Sequence, residues 1–135
     1  MPVNKSAKTD NKIIDLIANR WSPRAFADKA ISNNVLKSIF EAARWAASCN
    51  NSQPWRLIIA EKEDPEEYNK ALSCFNEKNQ RWVKTAPVIG FVCAYQLMGE
   101  DRKSRTYFYD TGMAMAQFSL QALDHNIYIH QAGGV

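Results

Sequence analysis

The chain has 135 residues, of which 46% are hydrophobic and 23% charged, and its formal net charge is +3. That length suits one compact domain rather than two, and that composition supplies a core. The charge excess is too small for the dense basic face that nucleic acid or an anionic membrane surface requires, although a ligand with one phosphate needs only a few positive groups.

In chain order, residues 1–9 are polar and read as a flexible tail, with no apolar stretch of the signal-peptide kind. Residues 10–135 read as the folded domain. Asp10 is placed to cap a short helix over about 11–19, with Ile13, Ile14, Leu16 and Ile17 as its apolar side. Pro23 breaks that helix and turns the next stretch into extended chain. Ser32 is placed to cap a second helix running to about Ala47, where Val35, Leu36, Ile39, Phe40, Ala43 and Ala46 follow helical spacing. Residues 49–54 are a loop by composition, and 55–60 form an apolar run of strand length.

Asp64 and Pro65 then open a third helix reaching about Phe75. A polar stretch containing Asn79 and Trp82 leads to Ala86-Pro87, and 88–94 is a continuous apolar run, the pattern of a central strand covered on both faces. Ser104 is placed to cap the longest helix, which reaches about His125 with a stripe of Phe108, Thr111, Met115, Phe118 and Ala122. Asn126 is a suitable stop. Residues 127–130 can start another strand. The alternation of helices and strands predicts an α+β or α/β domain with helices over a small sheet.

No segment approaches the ~20 apolar residues needed to span a bilayer. Cys49, Cys74 and Cys93 form neither an even set nor a close pair, so they read as reduced thiols and imply a cytoplasmic setting. His125 and His130 have no cysteine or carboxylate at ligand spacing, and no metal site is expected.

Four groups of residues have the chemistry of a binding site. In extended chain, Arg20, Ser22 and Arg24 point to the same side, and two guanidinium forks with a hydroxyl suit a phosphate; solvated surface arginines would read the same way. Ser48, Cys49, Asn51 and Gln53 lie in a loop between a helix and a core strand, where fixed amides and hydroxyls can meet a flat heterocycle with donors and acceptors on its edge. A capped helix end followed by a turn would use the same residues. Asn79 can bind a ligand or cap a helix. Gly133 and Gly134 permit close backbone approach to a ligand, or form a frayed end.

The order and spacing of several short motifs resemble the FMN-dependent nitroreductase family. They are Arg20-Trp21-Ser22-Pro23-Arg24-Ala25-Phe26, Glu41-Ala42-Ala43-Arg44-Trp45-Ala46-Ala47-Ser48, Asn51-Ser52-Gln53-Pro54-Trp55, Asn79 with Trp82 and Ala86-Pro87, and Asp110-Thr111-Gly112-Met113-Ala114. The resemblance implies an α+β nitroreductase-like fold, a small central sheet flanked by helices. It also implies a homodimer with FMN at the subunit interface. By this likeness Arg20, Ser22 and Arg24 would hold the phosphate and ribityl end. Ser48, Cys49 and Asn51 would line the flavin, some of them in the partner subunit, with Gln53 supporting their loop. Asn79 would face the ring's polar edge, and the segment of Gly133 and Gly134 would approach flavin N5 and O4.

The implied chemistry is hydride transfer from NADH or NADPH to flavin, then electron transfer to a small acceptor such as a nitroaromatic or quinone. No protein nucleophile is expected, because the cofactor carries the chemistry. The alternatives are a non-catalytic or apo flavin-binding protein of the same fold and a small interaction module. Relative to the family pattern, Ala47 stands where proline is usual and Cys49 where serine is frequent, and the chain is expected to be C-terminally short.

Overall fold

The structure is a computed structural model that describes residues 5–98 and 102–133. The elements are α1 (Asp15–Asn19), α2 (Asn33–Arg44), β1 (Trp55–Glu61), α3 (Pro65–Ser73), α4 (Glu77–Val83), β2 (Val88–Ala94), β3 (Leu97–Met98), β4 (Arg102–Lys103) and α5 (Tyr107–Asp124). A 3-10 turn at Cys49–Asn51 lies between α2 and β1.

β1 and β2 pair antiparallel, with Trp55 opposite Ala94 and Glu61 opposite Val88. Side chains alternate between the two faces of a ladder, so each face meets its own helical layer. On one face Ala60 and Ile89 join Tyr68, Ala71, Phe75 and Val83 from α3 and α4 and the chain after α3, with Phe91 packed against them. On the other face Trp55 joins Ala43, Ala46 and Ala114, with Phe118 packed against them. Ala43 is 1% exposed and Ala114 0%, so α2 and α5 meet through small side chains that let their backbones approach. This mixed arrangement of helices on a small sheet is the predicted α+β fold.

Local chemistry explains the element ends. Asp64 caps α3 by accepting from the Glu67 N–H, and Pro65 occupies the first turn, where its missing N–H costs nothing. Asn126 has φ 59°, and at the end of α5 its N–H reaches Leu123 O while Ile127 N–H reaches Ala122 O. That pair of bonds is a Schellman motif, and asparagine tolerates the left-handed residue it needs.

Several expectations are corrected. α1 begins at Asp15, and Ile14 rather than Asp10 precedes it, with no side-chain cap. Ile13, Ile14 and Ile17 stay exposed, so the apolar spacing there does not mark a buried face. α2 ends at Arg44, short of Ala47, and Ser32 precedes it without a side-chain capping bond. The polar stretch around Asn79 is a helix, α4, capped by Asn76; it buries only Val83 and so leaves no periodic apolar signal.

β2 is not covered on both faces along its length, because Gly90, Val92 and Cys93 are exposed and its one ladder partner among the described residues is β1. Residues 127–130 form no strand. α5 starts at Tyr107, and Ser104 accepts from the Thr106 N–H in a turn before it instead of capping it. Phe108 is 70% exposed, so the buried stripe begins at Thr111.

Candidate functional site

The loop after α2 is held in an unusual shape. Ser48 Oγ accepts from the Gln53 N–H at 3.0 Å, and Ser48 O accepts from the Asn51 N–H at 3.0 Å. Asn50, Asn51 and Gln53 have φ of 52°, 53° and 44°, in the left-handed region that costs a non-glycine residue about 1–2 kcal/mol. Asparagine is among the side chains that tolerate it best. Gln53 Nε2 donates to Asn51 Oδ1 at 3.1 Å, which ties the two amides together.

The loop is also anchored from outside. Asp110, in the first turn of α5 and 4% exposed, accepts from the Cys49 N–H at 3.1 Å and from Thr106 Oγ1 at 2.9 Å through the same oxygen. A carboxylate near a helix N-terminus is favoured by the helix dipole. Asp110 opens the Asp110–Ala114 motif, and no local pattern announces this anchoring role.

The other polar set lies around the segment after α1. Arg20, Ser22 and Arg24 are exposed while Pro23 is buried. Arg20 Nη1 reaches Ser22 Oγ at 3.5 Å, and neither Arg20 nor Arg24 is in an ion pair among the described residues. The segment is fixed at its far end by the Phe26 N–H, which donates to Thr85 Oγ1 at 3.3 Å.

The chain beyond α5 packs onto this segment. Tyr128 lies against Trp21, with ring centroids 5.9 Å apart. His130 Nδ1 is 2.8 Å from Pro23 O, and a carbonyl only accepts, so Nδ1 carries the proton. The His130 ring also stacks on Trp82 of α4, with centroids 4.2 Å apart. Trp82 Nε1 in turn donates to Asn79 Oδ1 at 3.3 Å. A Cβ built on Gly133 meets nothing within 4 Å, so internal packing does not demand glycine there. Gly134 lies outside the described residues.

The structure therefore brings together Arg20, Ser22, Arg24, the Asn79 helix and the segment ending at Gly133. It does not bring Ser48, Cys49, Asn51 and Gln53 to them. Asp110 holds the loop at the start of α5, whereas His130 meets Pro23 beyond the end of α5. At 1.5 Å per residue the helix rises roughly 24 Å between Asp110 and Asn126. A cleft of about 1300 Å³ lies between the sheet and the α2–α5 layer. Its walls include Phe40, Leu57, Ile59, Met115 and Phe118, and at one end Pro23, Trp82 and His130; none of the predicted site residues lines it.

Charge is locally organised near the loop as well. Glu41 accepts from Arg44 at 2.6 Å and 3.0 Å and from Trp45 Nε1 at 2.8 Å. The Arg44 bond, then the Trp45 bond, hold the Glu41 carboxyl below its ordinary pKa.

The sequence profile of the Nitroreductase family matches residues 17–128. The chain belongs to the nitroreductase family. The match takes in Arg20, Ser22, Arg24, Ser48, Cys49, Asn51, Gln53 and Asn79, and ends before Gly133 and Gly134. Among curated nitroreductases, a nitrobenzene nitroreductase of Ectopseudomonas oleovorans is 39% identical over 59 residues, 44% of this chain and 26% of that protein. A chloronitrobenzene nitroreductase of Comamonas testosteroni is 34% identical over 59 residues, again 44% of this chain and 26% of that protein. The matched stretch thus spans about a quarter of the length of each relative. Among solved structures, an oxidoreductase containing FMN aligns with a TM-score of 0.88 at 32% identity, covering 100% of this chain and 69% of that one.

Proposed function

We infer that this chain binds FMN and acts as a flavin oxidoreductase, taking a hydride from NADH or NADPH and passing electrons to a small acceptor such as a nitroaromatic or a quinone. The observation that carries the reading is the Arg20-Ser22-Arg24 segment. It offers two guanidinium groups without ion-pair partners among the described residues, and its backbone is pinned at Pro23 and Phe26. Charged donors on a fixed backbone suit a terminal phosphate. Asn79 is linked to this segment through Trp82 and His130, and its amide suits the polar edge of an isoalloxazine ring. The FMN in the similar oxidoreductase structure supports the same cofactor.

Bound there, FMN would supply the hydride acceptance and electron delivery, while the protein's groups bind and orient it. Arg20, Ser22 and Arg24 would hold the phosphate, Asn79 the ring edge, and the backbone near Gly133 and Gly134 the reactive edge. The Ser48–Gln53 loop lies too far away in the same chain to join them. We assign it to the flavin of a second subunit in a homodimer. In support, Trp45, Phe108 and Tyr109 are 73%, 70% and 71% exposed, a large apolar surface for a lone chain. Cys49, Cys74 and Cys93 are free and exposed, which suits a reducing compartment such as the cytoplasm. No helix among the described residues is long and apolar enough to cross a membrane.

The test is a titration of the purified chain with FMN and with riboflavin, followed by addition of NADH and NADPH. FMN should bind more tightly than riboflavin. The double substitution Arg20→Ala, Arg24→Ala should weaken FMN at least tenfold and riboflavin little, since charge-assisted bonds contribute about 1.5–3 kcal/mol each. Equal affinities for the two flavins in the unaltered chain would sink the phosphate assignment. Bound FMN that neither nucleotide bleaches would reduce the reading to flavin binding without catalysis.

A further inference from the structure

His130 lies between the two segments that carry the residues assigned to FMN, and it touches a neighbour of each: Pro23 in one and Trp82 in the other. Its Nδ1–H donates to Pro23 O at 2.8 Å, in the middle of Arg20-Ser22-Arg24. Its ring lies on the Trp82 indole, with centroids 4.2 Å apart and planes inclined by 30°. The indole Nε1–H donates to Asn79 Oδ1 at 3.3 Å. Indole N–H groups only donate, so this contact selects which end of the Asn79 amide faces Trp82. An unbroken series of contacts therefore runs from the arginine segment, through one imidazole and one indole, to the amide on α4.

The three segments joined in this way have no ladder to hold them together. Residues 20–24 and 127–133 are irregular chain, and α4 is a seven-residue helix. Irregular segments keep a functional geometry only where specific contacts fix them. His130 itself is held by the Asn126 turn at the end of α5 and by Tyr128 on Trp21. It is thus positioned by the longest helix of the chain and transmits that position to both sides.

We propose that His130 is a positioning residue for flavin binding. Its Nδ1–H sets the Ser22–Arg24 backbone, and its ring sets the Trp82–Asn79 pair. Together they hold the phosphate-binding and ring-binding groups at one separation. This rests on the FMN reading above and adds to it a residue that does not itself touch the cofactor. The two contacts use different parts of the imidazole, so they separate by substitution. His130→Phe keeps a ring over Trp82 and removes the donor to Pro23. His130→Asn places an amide nitrogen near the position of Nδ1 and removes the ring.

The experiment uses the full chain and two measurements. In flavin-free protein, nitrogen NMR of the imidazole should show the proton on Nδ1. His130→Phe should move the Ser22 and Arg24 backbone amide signals while leaving the Trp82 indole N–H signal near its place. His130→Asn should do the reverse, moving the Trp82 and Asn79 side-chain signals. In titrations, His130→Phe should weaken FMN about fivefold, the typical effect of one lost hydrogen bond, while changing riboflavin affinity little. His130→Asn should weaken both flavins alike. An unaltered chain that binds FMN, together with a His130→Phe variant of the same FMN-to-riboflavin ratio, overturns the inference and leaves the FMN reading standing. Failure of the unaltered chain to bind FMN overturns both. A folded His130→Phe variant with unmoved Ser22 and Arg24 signals overturns the inference whatever the titrations give.

Discussion

Removing the Asp110 carboxylate should loosen the Ser48–Gln53 loop before it affects anything else. Asp110 is 4% exposed, and one of its oxygens receives both the Cys49 N–H and the Thr106 hydroxyl. Hydrogen bonds to a charged group contribute about 1.5–3 kcal/mol each, and the first-turn position adds about 0.3–1 kcal/mol from the helix dipole. Some of this is offset by the cost of burying the carboxylate. Asp110→Ala should therefore destabilise the chain by about 3 kcal/mol. Asp110→Asn retains an acceptor oxygen at reduced strength and should cost about 1 kcal/mol. With a urea slope of about 1–3 kcal/mol per M, the alanine variant should unfold at a midpoint lower by about 1–3 M. Hydrogen exchange should show the Cys49 amide losing protection in both variants, more in alanine, while amides of β1 keep theirs. An alanine variant with the unaltered midpoint and a protected Cys49 amide would refute the anchoring argument.

Three further outcomes follow from the same contacts. If each flavin takes its phosphate from one chain and its loop from the other, Asn51→Ala and Arg20→Ala, Arg24→Ala chains should each bind FMN weakly alone and recover part of the binding when mixed and reassembled; no recovery would count against the shared site. Burial raises the Tyr68 phenol pKa above its usual value near 10, so stability should be intact below that pH and fall as pH rises through the higher folded-state value. Tyr68→Phe should lose the 2.6 Å bond to Ala86 O, at about 1 kcal/mol, and show a flatter alkaline limb in thermal melts. At Asn126, φ 59° makes glycine tolerable and a β-branched residue strained, so Asn126→Gly should be near neutral and Asn126→Val should cost about 1–2 kcal/mol by chemical denaturation.

The parts of the fold that were legible are those written in short-range chemistry. Asp64-Pro65 announces the start of α3 within two residues, Asn126 its counterpart at the end of α5, and the apolar run of 88–94 coincides with β2. α4 was hidden because it buries little and its spacing is polar. Residues 127–130 read as a strand because β-branched and aromatic side chains suit one, but here they are occupied by ring contacts and by the Pro23 carbonyl. Most of the proposed site residues, Arg20 to Asn79, stand within short motifs or beside them. Their supports were not, because Asp110 and Cys49 are 61 positions apart and His130 and Pro23 are 107 apart. Nothing local to either sequence neighbourhood announces such a bond.

α5 connects these observations. Its first turn carries the carboxylate that anchors the loop, and the turn after its end carries the histidine that meets the arginine segment. One face is buried through Thr111, Ala114, Met115 and Ala122. Tyr109, Gly112, Met113 and Ala116 are exposed at spacings of three and four, which leaves a second, small and apolar stripe uncovered. A two-fold axis perpendicular to α5 that set this stripe against its own copy would place the two α5 helices antiparallel, with each surface patch matched to itself. The loop at the start of one helix would then lie beside the arginine segment at the end of the other. The separation of roughly 24 Å within one chain would be closed between chains at both ends of the pair at once. Two equivalent flavin sites would result, each with phosphate groups from one subunit and a loop from its partner. In such a pair Ser48, Cys49 and Asn51 would serve the same cofactor as Arg20 and Arg24 although they stand at the opposite end of the same helix.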